Sequence, residues 1–282
     1  MAVFSQIGKI GEEENMSDVK VACIGTGMMG GALMKAVAKV VGGENLTVSD
    51  GDFAKAQAYA AETGCHAVAS NGEAAQVADV IFLAVKPFLI QKVVEEITPH
   101  LSGKILVSMA AGLKLESIGE ACAVADAVQW VRIMPNLPAV VGEAMIGLCG
   151  AAKTSGETLG KVKDLLSAAG KVEIVEEKLM DAVTAISGSG PAYCFLFIEA
   201  LADAAVKLGM NRQQAYIYAA QTLRGAATMQ LETGRHPGDL KDGVCSPAGT
   251  TIAAVEALEE KGFRSAVMAA ATAAYNRSVE LS

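Results

Sequence analysis

A short loop rich in serine, glycine and threonine lies late in the sequence, where residues 245–251 read Cys-Ser-Pro-Ala-Gly-Thr-Thr. An apolar run with helical spacing, residues 252–259, follows directly. Hydroxyl groups and the free backbone N–H groups at a helix start bind anions such as carboxylates. The sequence therefore predicts an anion-binding loop at this position.

A second glycine-containing loop, Gly25-Thr26-Gly27-Met28-Met29-Gly30, lies more than two hundred residues earlier. It follows a strand candidate and begins a helix candidate. In that context the first glycine permits a tight turn, the second lets a pyrophosphate approach the backbone, and the third allows close helix–strand packing. The loop therefore predicts a dinucleotide cofactor, and two anion-binding loops indicate a cofactor site and a substrate site.

Asp50 ends the second strand candidate, about twenty residues after this loop, where an acidic residue holds the ribose 2′-hydroxyl of NAD and repels a 2′-phosphate. Ser49 beside it has a hydroxyl that suits either sugar. The alternative for Asp50 is a helix N-cap or turn residue, because Asp-Gly is itself a turn signal. These residues favour NADH over NADPH weakly.

The elements that must position these loops alternate between strands and helices in the first half of the chain. We predict strands at residues 19–24, 46–49, 66–69, 80–85, 105–109, 128–133, 146–149 and 171–175. Helices are predicted at 28–41, 52–62, 88–98, 115–123 and 155–169. This alternation predicts a Rossmann-like α/β domain with a mostly parallel sheet. Ala84-Val85-Lys86-Pro87 and Ala110-Ala111-Gly112 end two of its strands, where ligands bind in such sheets.

After about residue 179 only helical patterns remain, at 179–187, 192–208, 212–233, 250–261 and 263–281. The segment 192–208 is apolar on nearly every side, which predicts a helix buried between subunits. We therefore predict an extension of uncertain status (1–15), a dinucleotide-binding domain (16–176) and an all-helical dimerisation and substrate domain (177–282). Met16 is an alternative start.

Composition narrows the class of protein. Apolar residues make up 52% of the chain, and 23 basic against 31 acidic residues give a net charge of −8, which disfavours nucleic acid as a partner.

The six cysteines show no paired spacing, which predicts a reducing cytoplasm, and the three histidines show no metal-ligand spacing. The longest uncharged run, 182–198, contains Ser187-Gly-Ser-Gly-Pro191 and is too short and broken to predict a membrane span.

The motifs together resemble one family. Arg132-Ile-Met-Pro-Asn-Leu-Pro138, Ser187-Gly-Ser-Gly-Pro-Ala-Tyr193 and above all residues 237–259 follow the pattern of Δ1-pyrroline-5-carboxylate reductases, over about residues 19–281. The resemblance implies NAD(P)H-dependent reduction of 1-pyrroline-5-carboxylate to L-proline, the last step of proline biosynthesis. It also implies dimers, which often assemble into rings of five.

The resemblance also implies roles for individual residues. Ser246, Gly249, Thr250 and Thr251 would bind the substrate carboxylate, with Thr251 contacting the ring nitrogen as the catalytic residue, and Ser189 and Glu177 would border the substrate. The cofactor would be lined by Gly25, Thr26, Gly27, Met28, Met29, Gly30, Ser49, Asp50, Asn71, Ala84, Val85, Lys86, Pro87, Ala110, Ala111 and Gly112. No metal is implied.

Two departures from the family pattern concern the loops. Many members have a phosphate-binding pair where this chain has Asp50-Gly51, which argues against the family's usual NADPH preference. Members often have Gly-Gly where this chain has Ala248-Gly249, and we expect one methyl group to cost little. Alternative roles remain for three of these positions. Thr250 could cap the helix while Thr251 has no catalytic role. Lys86 could donate a proton instead of contacting the cofactor, and Cys245 could be a nucleophile instead of a packing residue.

Rival functions are a β-hydroxyacid dehydrogenase-like oxidoreductase and a non-catalytic NAD(P)-sensing protein. Alcohol oxidation needs a base, typically a lysine of the helical domain, and Lys178 and Lys207 are candidates by position. A sensor would have no need of the loop at 246–251. Imine reduction needs no strong base, which agrees with the lack of His or Glu in that loop.

Overall fold

The structure is a computed structural model that describes residues 16–281. The strands are β1 (Val21–Ile24), β2 (Leu46–Ser49), β3 (His66–Ala67), β4 (Val80–Leu83), β5 (Ile105–Ser108), β6 (Gln129–Met134), β7 (Ala144–Gly150) and β8 (Gly170–Ile174). The helices of the first part are α1 (Met28–Val41), α2 (Phe53–Thr63), α3 (Asn71–Val77), α4 (Ile90–Ile97), α5 (Leu115–Gly119) and α6 (Gly156–Leu165). Those that follow are α7 (Met180–Val183), α8 (Gly190–Lys207), α9 (Arg212–Thr233), α10 (Pro237–Val244), α11 (Thr250–Glu260) and α12 (Phe263–Glu280).

All eight strands form one sheet in the order β3-β2-β1-β4-β5-β6-β7-β8. Neighbouring strands pair in parallel except β6 and β7, which are antiparallel. The chain leaves β1 toward β2 on one side and returns to β4 on the other. The gap beyond the carboxyl ends of β1 and β4 is thus the switch point at which ligands bind in such sheets. The mostly parallel Rossmann-like fold is confirmed.

The core lies on both faces of this sheet. Along β1, Val21 and Cys23 pack in one buried apolar cluster, while Ala22 and Ile24 pack in another. Because side chains alternate between the faces of a strand, a strand buried on both faces is apolar throughout. That is why the central strands were visible in the sequence as short uninterrupted apolar runs.

Two helices were absent from the predicted elements. The helix α3 begins at a capping box, in which the Ser70 hydroxyl accepts from the Glu73 N–H and the Glu73 carboxylate accepts from the Ser70 N–H. The motif Ser-x-x-Glu is a sequence-level sign of such a start. The helix α10 begins with Pro237 at its first position, another start signal. Both helices were therefore predictable from their first residues.

The described chain divides into two compact units, Ser189–Arg277 and the rest, which runs to Gly188 and resumes at Ser278. The predicted domain limit, 176, lies earlier, where the strand pattern ends. The units divide later because Met180 and Val183 of α7 pack in the core of the sheet-containing unit. Ser278 also donates a hydrogen bond to Asp181 at 2.6 Å, which joins the end of α12 to that unit. The predicted extension, residues 1–15, lies outside the described residues.

The sequence predicts that Ser187–Pro191 breaks the helix, but the helical stretch continues through this segment. A π-helical turn, Thr184–Gly188, connects α7 to α8. The buried side-chain amide of Asn136 secures it, donating to the Ser187 carbonyl and accepting from the Met145 N–H, both at 3.0 Å. The argument that this run is too broken to cross a membrane is therefore wrong. By length and composition alone the 31-residue stretch Glu177–Lys207 passes that test, as apolar helices of soluble proteins also do.

The apolar helix α8 exposes much of its surface within one chain. Phe195 is 56% exposed and Leu196 is 68% exposed. On the neighbouring helix α9, Ile217 and Tyr218 are both 63% exposed. Several large apolar side chains exposed on neighbouring helices are typical of a subunit interface. The chain alone therefore does not bury α8, and the prediction that it is buried between subunits depends on a second copy.

Candidate functional site

The glycine loop between β1 and α1 is shaped by close contact with the end of β4. Gly25 has a φ of +106°, and a Cβ there would lie 2.7 Å from the Ala84 carbonyl oxygen. A Cβ on Gly30 would lie 2.6 Å from the Cβ of Ala84. A Cβ on Gly27, in contrast, would meet no atom within 4 Å. Two glycines therefore permit packing, while the third leaves open space where a phosphate can approach the backbone.

Asp50 connects the end of β2 to this loop. Its Oδ2 accepts hydrogen bonds from the Thr26 N–H at 2.8 Å and the Thr26 hydroxyl at 2.9 Å. Its Oδ1 accepts from the Asp52 N–H at 3.0 Å. Burial alone would raise the pKa of Asp50, but these hydrogen bonds and Lys55 lower it below its ordinary value, so the carboxylate is charged at neutral pH. The bond from the Asp52 N–H is the turn contact considered as an alternative for Asp50, whereas the N-cap of α2 is Asp52 and not Asp50. Asp50 also belongs to the wall of the cavity described below, so the turn contact leaves a cofactor role open to it.

A chain of hydrogen bonds fixes the next candidate side chains. The Ser49 hydroxyl, which is almost fully buried, donates to Asn71 Oδ1 at 2.9 Å. Asn71 Nδ2 donates to Glu96 Oε2 at 2.9 Å. The amide of Asn71 is therefore oriented by Glu96 on α4. Sequence reasoning did not identify Glu96, because the signal is a contact between distant residues.

One cavity of about 790 Å³ lies at the carboxyl ends of β1, β2, β4 and β5. It is lined by most of the predicted cofactor residues: Gly25, Gly27, Met28, Met29, Gly30, Asp50, Asn71, Ala84, Val85, Lys86, Pro87, Ala110 and Ala111. Sequence reasoning missed other residues of its wall: Ile24, Gly51, Lys55, Leu89, Lys92, Val93, Glu96 and Met109. The open backbone of Gly27 and the N-terminus of α1 are the parts of this wall that could receive the pyrophosphate of a dinucleotide.

Three predicted cofactor residues lie outside the wall of this cavity. Thr26 lines a second cavity, together with Lys35 and Tyr59. Ser49 is buried beneath Asn71. Gly112, with a φ of +77°, packs against the Leu281 carbonyl oxygen, which would lie 2.8 Å from a Cβ at that position. These residues shape the loops that line the cavity.

The second anion-binding loop lies in the unit Ser189–Arg277 and begins with a tight turn. The Gly249 N–H donates to the Ser246 carbonyl at 3.0 Å, with Pro247 and Ala248 as the central residues. Ala248 has a φ of +55°, in the left-handed region that this kind of turn normally gives to glycine. Left-handed backbone costs a residue with a Cβ roughly 1–2 kcal/mol. The expectation that alanine costs little here is therefore wrong.

The loop ends at the first turn of α11. Gly249 is the N-cap and has no side chain to accept a hydrogen bond from the helix N–H groups. Thr250 and Thr251 are the first two helical residues, so Thr250 is not the cap. Thr250 is exposed and Thr251 is half-buried. The helix start thus offers backbone N–H groups and two hydroxyls to an anion.

Glu177 and Ser189, the other predicted substrate residues, belong to different units. Glu177 Oε1 accepts from the Leu115 N–H at 2.8 Å and lies 3.6 Å from Arg132 Nη1. Ser189 immediately precedes α8 and is half-buried. Cys245 is a half-buried free thiol at the end of α10. Within residues 16–281, no group of three or more His, Cys, Asp or Glu could hold a metal ion.

Two family models match the chain. The model described as pyrroline-5-carboxylate reductase dimerisation matches residues 177–281. The model described as NADP oxidoreductase, coenzyme F420-dependent, matches residues 20–112. The first covers every helix from α7 onward, and the second covers the strands β1 to β5 around the cavity.

Curated relatives and solved structures agree with these matches. A pyrroline-5-carboxylate reductase of Escherichia coli is 44% identical over 267 residues, 93% of this chain and 98% of that protein. One of Arabidopsis thaliana is 46% identical over 220 residues, 78% of this chain and 79% of that protein. The Coxiella burnetii enzyme structure has a TM-score of 0.87 at 34% identity and covers 94% of this chain and 98% of its own. A Plasmodium falciparum pyrroline carboxylate reductase with NADP bound has a TM-score of 0.83 at 34% identity and covers 94% and 99%.

Gly27→Ala tests whether the open space at the glycine loop is a cofactor site. We expect the Kd for NADH, followed by fluorescence titration, to rise about tenfold or more, because a methyl group would occupy the approach of the pyrophosphate. The unfolding temperature should hardly change, since this methyl group meets no protein atom within 4 Å. Gly160→Ala, at a glycine of α6 with equally open surroundings, is the matched control. Unchanged NADH affinity in Gly27→Ala would contradict this assignment.

Proposed function

Because this chain belongs to the pyrroline-5-carboxylate reductase family, we propose that it reduces 1-pyrroline-5-carboxylate to L-proline with a nicotinamide cofactor, the final step of proline biosynthesis. The observation that carries the proposal is the loop 246–251, whose turn places two threonines at the start of α11. The cavity at the glycine loop, together with the NADP reported in the related structure, supports the cofactor. Both loops that the reaction requires are thus present.

The substrate is a small cyclic imine with a carboxylate, and each feature matches a part of this loop. We infer that the carboxylate binds at the N-terminus of α11, where the backbone N–H groups of the first turn lack internal partners. Glycine at position 249 allows the Ser246 hydroxyl to approach the helix start, because a Cβ at that position would lie 2.2 Å from the Ser246 hydroxyl oxygen. The tight turn therefore keeps Ser246 close to the helix start, where its hydroxyl supports the same anion.

The reaction itself requires little acid–base catalysis by the protein. Protonation of the imine nitrogen makes the neighbouring carbon electrophilic, and a nicotinamide cofactor, when bound, supplies the hydride. The half-buried hydroxyl of Thr251 is the candidate to hydrogen-bond the ring nitrogen and relay a proton from water. Ser246, Gly249 and Thr250 hold the carboxylate, and Ser189 is a further candidate for the substrate wall. Orientation of the imine ring is then the main contribution of this loop.

The cofactor preference follows from Asp50. Its carboxylate is charged and faces the cavity beside Gly51 and Lys55. A 2′-phosphate near this position would be repelled, whereas a 2′-hydroxyl could donate to the carboxylate. Lys55 is the cation nearest in sequence, and its Nζ lies 3.8 Å from Asp52 Oδ2. We therefore propose NADH as the preferred cofactor, with NADPH as the weaker one.

The rival functions gain no support from the lysines on which they depend. Lys178 is 72% exposed and pairs with Glu176 at 2.6 Å, on the surface of the sheet-containing unit. Lys207 is the last residue of α8. Neither belongs to a small-residue loop of the kind that positions a catalytic base. Cofactor binding without turnover of any imine would instead favour the non-catalytic sensor.

The chain forms homo-oligomers, and we propose a dimer built through the unit Ser189–Arg277, with rings of five dimers as a further assembly. The exposed apolar side chains of α8 and α9 support the dimer. We also propose a cytoplasmic location, supported by six free thiols, with no nucleic-acid or membrane partner. Cell fractionation tests the location.

Steady-state kinetics with each cofactor test the reaction and the preference together. At fixed 1-pyrroline-5-carboxylate, we expect L-proline to form with both cofactors and kcat/KM to be higher with NADH. A preference for NADPH of tenfold or more, about 1.4 kcal/mol, would contradict the role of Asp50. Absence of L-proline with either cofactor would contradict the proposed reaction itself.

Thr251→Ala tests the catalytic hydroxyl. We expect kcat to fall roughly a hundredfold because the proton relay to the nitrogen is lost, while the Kd for NADH stays unchanged. Thr251→Ser, which keeps the hydroxyl, should recover much of the loss. Near-normal turnover by Thr251→Ala would show that this hydroxyl is idle.

Leu196→Asp tests the dimer. A charge in the exposed apolar surface of α8 should cost several kcal/mol on burial, so the variant should dissociate to monomers. Light scattering after size-exclusion chromatography should give the mass of two chains, or of ten, for the natural sequence. A monomeric natural chain would contradict the proposed interface.

A further inference from the structure

The carboxylate of Glu177 joins three distant segments of the sheet-containing unit through an ion pair and a hydrogen bond. Glu177 lies in a short helical turn, Glu177–Leu179, between β8 and α7. Its Oε1 lies 3.6 Å from Nη1 of Arg132, a residue of β6 whose side chain is only 5% exposed. A buried guanidinium without a counterion is costly, and Glu177 supplies a counterion to Arg132.

The same carboxylate oxygen also secures the start of α5. The N-cap of α5, Lys114, makes no side-chain capping hydrogen bond. The Leu115 N–H, which has no partner within its helix, instead donates to Glu177 Oε1 at 2.8 Å. Leu115 is itself buried. Glu177 thus provides, from a position 62 residues away, the cap that the local sequence lacks.

The segment held in this way leads from β5 to α5 and contains Ala110 and Ala111, which line the cofactor cavity. Its beginning is fixed by a hydrogen bond from the Met109 N–H to the Leu83 carbonyl at 3.3 Å. Its middle is fixed where left-handed Gly112 packs on the Leu281 carbonyl. Its end is fixed by Glu177. Movement of any of these anchors would shift the backbone of the cavity wall.

We propose that Glu177 is a positioning residue for the cofactor, which acts through Leu115 and Arg132 to set the 109–114 turn. This proposal rests on the proposed function, in which the cavity holds a nicotinamide dinucleotide. It assigns Glu177 to the cofactor side, whereas the family resemblance implied a substrate contact. The two roles differ in which ligand weakens when the carboxylate is changed.

Three variants separate these roles: Glu177→Gln, Arg132→Met and the two combined. Glutamine can still accept from the Leu115 N–H, but it leaves the charge of Arg132 unpaired. We therefore expect Glu177→Gln to raise the Kd and KM for NADH about tenfold, with the KM for 1-pyrroline-5-carboxylate little changed. The double variant, which has neither charge, should recover most of the NADH affinity. Glu176→Gln, which removes a neighbouring carboxylate paired on the surface with Lys178, is the control.

Hydrogen exchange gives a readout that does not depend on turnover. Amides of residues 109–115 should exchange faster in Glu177→Gln and return toward the natural rate in the double variant. A higher KM for the imine with unchanged NADH affinity, not restored by Arg132→Met, would overturn the proposal in favour of a substrate contact. Behaviour of Glu177→Gln identical to Glu176→Gln would also overturn it. If the natural chain produces no L-proline, the proposed function fails, while NADH binding and exchange still test Glu177.

Discussion

The close approach of the glycine loop to the end of β4 is the constraint on which the cofactor site depends. Gly25 and Gly30 both lie against Ala84, at distances that no larger residue at either glycine would allow. This packing brings the N-terminus of α1 to the switch point between β1 and β4. Asp50 then fixes Thr26 from the side of β2. Between these two packed glycines, Gly27 has open space beside its backbone.

The second loop shows a different balance between backbone strain and binding. Its turn places Ala248 in a left-handed conformation, which costs alanine more free energy than it would cost glycine. The turn persists because the surrounding residues determine it: Pro247 fixes the preceding φ, and the Gly249 N–H is bonded to the Ser246 carbonyl. Strain of this kind is often found where a backbone must present its N–H groups to a ligand. The result is an uncapped helix start flanked by hydroxyls.

Much of this arrangement was predictable from the sequence because it depends on local patterns. Apolar runs identified β1, β2, β4 and β5, and the glycine spacing located the cofactor loop at the carboxyl end of β1. The helix α3 was missed although its capping box, Ser70 to Glu73, is a local signal. What could not be predicted rests on contacts between distant residues, such as Asn71 with Glu96 or Glu177 with Leu115. The φ of Ala248 was also beyond reach, since residue type argues against a left-handed alanine.

In the proposed reaction, the loop at residues 25–30 binds a dinucleotide and the loop at residues 246–251 binds a small carboxylate. A crystal structure of the protein with oxidised cofactor and L-proline would test it most directly. We expect the pyrophosphate at the Gly27 backbone and the proline carboxylate about 3 Å from the backbone nitrogens of Thr250 and Thr251. The proline nitrogen should lie within hydrogen-bond distance of the Thr251 hydroxyl. A carboxylate bound away from the start of α11 would contradict the assignment of the loop 246–251 as the substrate site.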